Sequence, residues 1–413
     1  MKIIKYIIVL IMLLEVEFFY LIKMPLSIYK FNNTYQKLLI LGIIITGLIM
    51  NSKKIIKGKF RYLKIILFLM AIYLIQLIIS SLKYNQFFSN TFSISNYYII
   101  PLLYFLIIIY LKRTNDIKFI KKIFINFTII LSTLFILQSV LFKYNIVFLN
   151  VNTELTRFGS LRIFEGANII LIGILISFCD LINTNKLYRK KIISIIACSL
   201  GLAEMIFVQK TRMAIVAVLI VIVFISCIKF KKNIVKIMGI FISIIVIVIL
   251  FFSSKIGENY IKSFSLESGN ISVRNEAINF FIEETKNEYI LGTGFIYVNP
   301  NVYDIYNVEK SYKLKGPNGT YYRTDVGIFG FYHTFGILGI IFYLLFVIEV
   351  GRDILIIYKI KKYLFNYEIL AIFLLIIFTT FSLIITDVYR IITIPFLLSY
   401  IEYELWDSKK ISR

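Results

Sequence analysis

The ionisable residues gather at a few points between long apolar runs, and their types suggest phosphate chemistry. Arg157, Arg162 and Glu165 lie at the start of one run, and Gln209-Lys210-Thr211-Arg212 separates two others. Arg274 and Glu276 stand at one end of a polar stretch, Arg323 and Asp325 at the other; His333 follows, and Asp387 with Arg390 interrupts the last runs. A guanidinium grips phosphate through two parallel hydrogen bonds, so Arg157, Arg162, Arg212, Arg274, Arg323 and Arg390 are candidate ligands for a doubly charged diphosphate. Glu165, Asp325 and His333 are the candidate catalytic groups, since a carboxylate or imidazole within reach can take a proton from a substrate hydroxyl. Plainer roles stay open: Glu165 and Asp325 as salt-bridge partners of the arginines, His333 as a core histidine. Lys210 and Lys255 are expected to snorkel to lipid headgroups. With one histidine, and with Cys179, Cys198 and Cys227 each inside an apolar run, no metal site, disulfide framework or cofactor is expected.

The elements that must position these groups are membrane helices. Of 413 residues, 59% are apolar and 16% aromatic, beyond the usual range of a soluble domain. Runs such as Met213–Ile228 and Ile237–Phe252 carry no charge over most of a ~30 Å bilayer. The expected spans are 3–22, 37–52, 65–82, 98–111, 123–142, 163–182, 192–209, 213–228, 237–253, 327–348, 364–385 and 391–405. The fold class is therefore an all-α polytopic membrane protein of about 12 transmembrane helices, with one large extracytoplasmic loop.

Charge tests that register. Placing the N-terminus in the cytoplasm puts 28 Lys and Arg on the inner side and 18 on the outer, eight of the latter in the one long loop. Short loops decide orientation, so both termini are expected inside. The net charge of +23 then reads as cytoplasmic anchoring on anionic lipid, and no nucleic-acid partner is expected. Residues 1–253 form the first nine spans, 254–326 the outer loop, and 327–413 the last three spans with a cytoplasmic tail, one membrane domain in all. Within the loop, Leu266–Tyr289 has helical periodicity, two glycines break it at Gly292 and Gly294, and Val298–Arg323 reads as irregular. No internal repeat is visible.

Four segments, in order across about residues 150–345, resemble the O-antigen polymerase and ligase family. They are Arg157-Phe-Gly-Ser-Leu-Arg162-Ile-Phe-Glu165-Gly-Ala-Asn168, Gln209-Lys-Thr-Arg212-Met-Ala, Arg274 with Asn287-Glu-Tyr-Ile-Leu-Gly-Thr-Gly-Phe295, and Asp325-Val-Gly-Ile-Phe-Gly-Phe-Tyr-His-Thr-Phe-Gly-Ile-Leu-Gly339. Lys210 departs from the family's usual serine, and the third segment lacks its proline. Asp325 stands where the family's ligases often carry a His-Asn pair, which favours polymerase. The resemblance implies a metal- and nucleotide-independent glycosyltransferase of the cell membrane. It would polymerise undecaprenyl-diphosphate-linked oligosaccharide repeat units for a capsular or other surface polysaccharide, alongside other polysaccharide assembly proteins. A glycan ligase or a polysaccharide flippase is the alternative. The late long loop and the unmatched halves argue against a flippase.

Overall fold

The structure, a computed structural model, describes residues 2–16, 26–153, 156–157, 160–183, 188–231, 235, 238–239, 270–297, 313–316, 319–388 and 390–411. In chain order its helices are α1 (Lys2–Glu15), α2 (Leu26–Met50), α3 (Ser52–Lys57), α4 (Leu63–Lys83), α5 (Phe88–Ser95), α6 (Leu103–Thr114) and α7 (Ile117–Phe142). Then come α8 (Ala167–Ile182), α9 (Tyr188–Glu204), α10 (Arg212–Lys229), α11 (Asn270–Thr285), α12 (Ile328–Lys361), α13 (Tyr367–Thr379) and α14 (Thr393–Ile411). Two short antiparallel hairpins interrupt them, β1 (Thr156–Arg157) with β2 (Ser160–Leu161), and β3 (Lys313–Gly316) with β4 (Gly319–Tyr322).

Among the described residues, six helical stretches are long and apolar enough to cross a membrane: Leu63–Lys83, Phe88–Thr114, Ile117–Phe142, Lys191–Gln209, Arg212–Lys229 and Ile328–Lys361. Leu38–Met50, Ala167–Ile182 and Tyr367–Thr379 are shorter apolar helices. Each overlies an expected span, and the protein is an all-α, multi-pass membrane protein. The expected span 237–253 falls almost wholly outside the described residues. The fourth expected span is longer than its 98–111 reading. A 3-10 stretch over Asn96–Leu102 joins α5 to α6 through Pro101. Proline lacks the N–H an α-helix needs, and the tighter helix carries the chain past it without a break.

The chain divides into two compact units. The first comprises Met1–Gln36, Arg113–Ser268 and Tyr363–Leu375. Here α7, α8 and α9 pack on one another. Gly173 permits this approach, since a Cβ there would meet the Phe124 carbonyl at 2.9 Å. Lys121, mostly buried on α7, pairs with buried Glu368 on α13 at 2.7 Å.

The second unit comprises Lys37–Lys112, Gly269–Lys362 and Ile376–Arg413, with α4 and α14 packed on α12. At one end of these helices Asp353 receives Arg61 Nε at 2.9 Å, Arg61 Nη2 at 2.8 Å and the Tyr62 hydroxyl at 2.9 Å. Glu402 receives the Arg61 amide at 2.9 Å, Lys112 Nζ at 2.5 Å and the Tyr104 hydroxyl. Both carboxylates are buried, and these donors offset their desolvation.

Where the loop was expected to be helical, α11 and a 3-10 turn at Lys286–Glu288 occupy Asn270–Glu288. Where it was expected to be irregular, the β3–β4 hairpin corrects the reading, with Lys313 opposite Tyr322 and Gly316 opposite Gly319. Glycine was taken as a sign of irregular chain, although Gly316 and Gly319 pair with each other at the end of the two strands.

Candidate functional site

In the second unit, the site begins from a broken helix. α12 is interrupted at Gly336, whose φ of 59° is open to glycine without strain. The break opens two helical hydrogen-bond pairs, His333 with Ile337 and Thr334 with Leu338. The segment after α11 takes up all four groups. Thr293 N–H donates to His333 O at 2.8 Å and Gly294 N–H to Thr334 O at 3.1 Å. Ile337 N–H donates to Tyr289 O at 2.8 Å and Leu338 N–H to Ile290 O at 3.2 Å. Gln76 Nε2 on α4 adds a bond to Thr334 O at 2.7 Å. The exchange brings backbones so close that a Cβ on Gly292 would lie 2.5 Å from the Gly336 nitrogen. A broken membrane helix is tolerated only where protein satisfies the freed groups, and such breaks often line binding sites.

Arg323 lies over this crossing, 5% exposed, in the 3-10 turn Arg323–Asp325. Its Nη1 donates to Gly294 O at 2.9 Å and its Nη2 to Thr293 Oγ1 at 3.0 Å, while Nε has no hydrogen-bond partner. No carboxylate pairs with Arg323 among the described residues. Burial lowers its pKa to about 10, so the guanidinium stays charged at neutral pH. His333 is fully buried; its ring nitrogens lie 3.0 and 3.3 Å from Thr293 Oγ1, and the Phe281 ring packs against it at 4.8 Å. Asp325 is exposed at the end of the same turn as Arg323.

The remaining candidates of this unit are placed differently. Arg274 is exposed on α11, and its neighbour Glu276 receives the Tyr321 hydroxyl at 3.3 Å. Arg390 is ion-paired with buried Asp387 in the turn before α14, which largely neutralises it.

In the first unit, Arg162, Glu165 and the Gln209–Arg212 turn come together. Arg162 Nε donates to the Gln209 carbonyl at 2.8 Å, and its guanidinium lies 4.1 Å from the centre of the Phe164 ring. The Phe164 N–H donates to Glu165 Oε2 at 3.0 Å. Lys210 was expected to snorkel to headgroups, and this is corrected: it is 1% exposed and donates to both the carbonyl and the hydroxyl of Ser160. A short π-helical turn over Met205–Gln209 rotates Lys210 inward and leaves it at φ 55°. Arg212 begins α10. Arg157 stands in β1, and its side chain lies outside the described residues.

Sequence reasoning missed Thr293 and Glu204. Gly292-Thr293-Gly294 was read only as a break in periodicity, although a polar residue flanked by two glycines was the available signal. Glu204, fully buried at the end of α9, was passed over as one acid in an apolar run.

Comparison with known proteins bears on the whole set. Residues 197–344 match the family model described as O-antigen ligase. The match supports the O-antigen ligase/polymerase family and bears out the resemblance read in the ordered segments. The matched stretch holds Arg212, Arg274, Arg323, Asp325 and His333, with Thr293 and Glu204 among them; Arg157, Arg162, Glu165 and Arg390 lie outside it. Members of the O-antigen ligase family transfer glycans and act on lipid-linked glycans in the membrane. No curated protein matches the chain.

Proposed function

We propose that the protein polymerises undecaprenyl-diphosphate-linked oligosaccharide repeat units of a capsular or other surface polysaccharide, at the outer face of the cell membrane. Arg323 carries this reading. It is a buried guanidinium whose hydrogen bonds run only to neutral groups, with one N–H unused, inside the stretch that matches a glycan-transferring family. An uncompensated buried cation is costly, and an anionic ligand is the partner that offsets it. A lipid diphosphate supplies that anion.

In this reaction the bond between the growing glycan's first sugar carbon and its diphosphate oxygen breaks. A hydroxyl of the incoming lipid-linked unit forms the new glycosidic bond, and the lipid diphosphate leaves. Arg323 stabilises the charge that develops on the departing oxygen. Asp325 is the exposed acid in the same turn, and we assign it the hydroxyl's proton. His333, buried behind Thr293, holds Arg323 in place from below. Glu165 in the first unit is the further candidate for the catalytic acid or base, and Arg157, Arg162, Arg212, Arg274 and Arg390 are the further candidates for holding the lipid diphosphate. The twelve-span topology with both termini inside belongs to the same proposal, because it places all of these residues on the outer side.

The test is reconstitution of the purified protein in lipid with a lipid-linked repeat unit. Chain elongation with release of lipid diphosphate is expected. Transfer to a different acceptor without elongation would make the protein a ligase. Movement of the lipid across the bilayer without new glycosidic bonds would make it a flippase. In the same assay Arg162→Ala, Arg274→Ala and Arg323→Ala are expected to abolish polymer at normal membrane levels; full activity in all three would leave the diphosphate reading without support.

A further inference from the structure

Glu204 is a carboxylate that the proposed reaction does not use, and its surroundings give it a task. It is fully buried where α9 passes into the π-helical turn Met205–Gln209. Its Oε2 accepts a hydrogen bond from Gln209 Nε2 at 2.6 Å, and its Oε1 has no hydrogen-bond partner. A buried carboxyl oxygen without a hydrogen-bond partner lowers stability, and an ionisable group held in an apolar helix is a candidate for a role outside folding. The π turn is a second and independent sign. It closes with the Lys210 N–H on Met205 O at 3.0 Å, five residues back, and the chain then leaves the helix through Lys210 in the left-handed region. Such single π turns concentrate at functional sites.

The turn puts the Gln209 carbonyl outside the helical ladder, where it receives Arg162 Nε at 2.8 Å. Gln209 is therefore held at both ends, its side chain by Glu204 and its carbonyl by Arg162. Lys210 adds a parallel tie to Ser160 on the hairpin that leads to Arg162. With Nε fixed and the Phe164 ring 4.1 Å beneath the guanidinium, the plane and direction of the fork are set. Bidentate phosphate binding depends on that direction.

We propose that Glu204 is a positioning residue that acts through Gln209 to aim the Arg162 guanidinium at a phosphate group of a lipid-linked substrate. The proposal rests on the reading of Arg162 as a phosphate ligand. Glu204 needs only to accept a hydrogen bond for this role, which separates it from a proton-transferring acid.

The experiment measures binding of undecaprenyl diphosphate, and of inorganic pyrophosphate as the headgroup alone, to the full chain in lipid nanodiscs, together with turnover. Arg162→Ala comes first: if it binds as well as wild type, the phosphate reading of Arg162 falls and this inference falls with it. Given a loss in Arg162→Ala, Glu204→Ala is expected to weaken binding about three- to tenfold, the range one hydrogen bond supplies. Gln209→Ala, which leaves the carboxyl group in place, is expected to do the same and serves if Glu204→Ala folds poorly. Glu204→Gln keeps an acceptor and is expected to bind within about twofold of wild type. Combined with Arg162→Ala, Glu204→Ala should add no further loss. The positioning role is overturned, with the phosphate reading intact, if both Glu204→Ala and Gln209→Ala bind normally or if the losses add fully. It is also overturned if Glu204→Gln binds normally yet loses as much turnover as Glu204→Ala, since the carboxyl group would then act in the chemistry itself.

Discussion

Thr293 Oγ1 sits within 3.0 Å of Arg323 Nη2, His333 Nδ1 and the His333 carbonyl. A hydroxyl has one proton and two lone pairs. The assignment that satisfies every group sends the proton to the carbonyl and makes both Arg323 and Nδ1–H donors to the oxygen. That choice places an imidazole proton on Nδ1, facing the threonine oxygen. Thr293→Val removes the oxygen at nearly constant volume and leaves two buried donors without an acceptor. It is expected to cost about 1–3 kcal/mol, read as a lower unfolding temperature in detergent, while Thr293→Ser stays close to wild type. Equal stability of the two variants would show that the hydroxyl holds neither Arg323 nor His333.

At the scale of elements, α12 and the segment after α11 are one construction. Neither is complete alone: the broken helix would leave four backbone groups unsatisfied, and Tyr289–Gly294 has no regular structure of its own. Two glycines permit the exchange by close approach, Gly292 at φ 77° and Gly336 at φ 59°. A Cβ on Gly336 would stand 2.5 Å from the Ile290 carbonyl carbon and oxygen, which are backbone and cannot move aside alone. Gly336→Ala is expected to lower stability by about 2 kcal/mol or more and to remove activity with it, because Arg323 is held by the same segment. The expected counterpart is Gly42→Ala in α2, where nothing lies within 4 Å of the added carbon and stability should stay the same or rise slightly. Thermal unfolding of the two variants side by side checks this; a Gly336→Ala protein as stable as Gly42→Ala would mean that the crossing is not needed.

For the molecule as a whole, the testable quantity is sidedness. The positive residues around Lys53–Lys64 and Lys112–Lys122 are expected on the cytoplasmic side, and the β3–β4 hairpin on the outer side. A cysteine introduced at Gly316, with the native cysteines replaced, is expected to react with an impermeant thiol reagent in intact cells. A cysteine at Lys59 is expected to react only after the membrane is opened. The reverse pattern would invert the protein and put the proposed chemistry on the wrong face.

What the sequence determined by itself follows from quantities that run along the chain. Hydropathy over about twenty residues located the helices, charge between them suggested sidedness, and four ordered segments led to the family whose model matches residues 197–344. Tertiary structure decided which charges are compensated. Arg61 finds Asp353 across 292 positions, Arg390 finds Asp387 three residues away, and Arg323 finds only neutral oxygens. In the sequence these arginines look equivalent, all at the ends of apolar runs. The free energy of a charge near or within a membrane depends on what lies within a few ångströms of it, and that is settled by packing between segments remote in the chain. For the same reason the surroundings of Glu204 and Thr293 are set by packing: the π turn brings Glu204 to Gln209, and the broken helix brings Thr293 to Arg323.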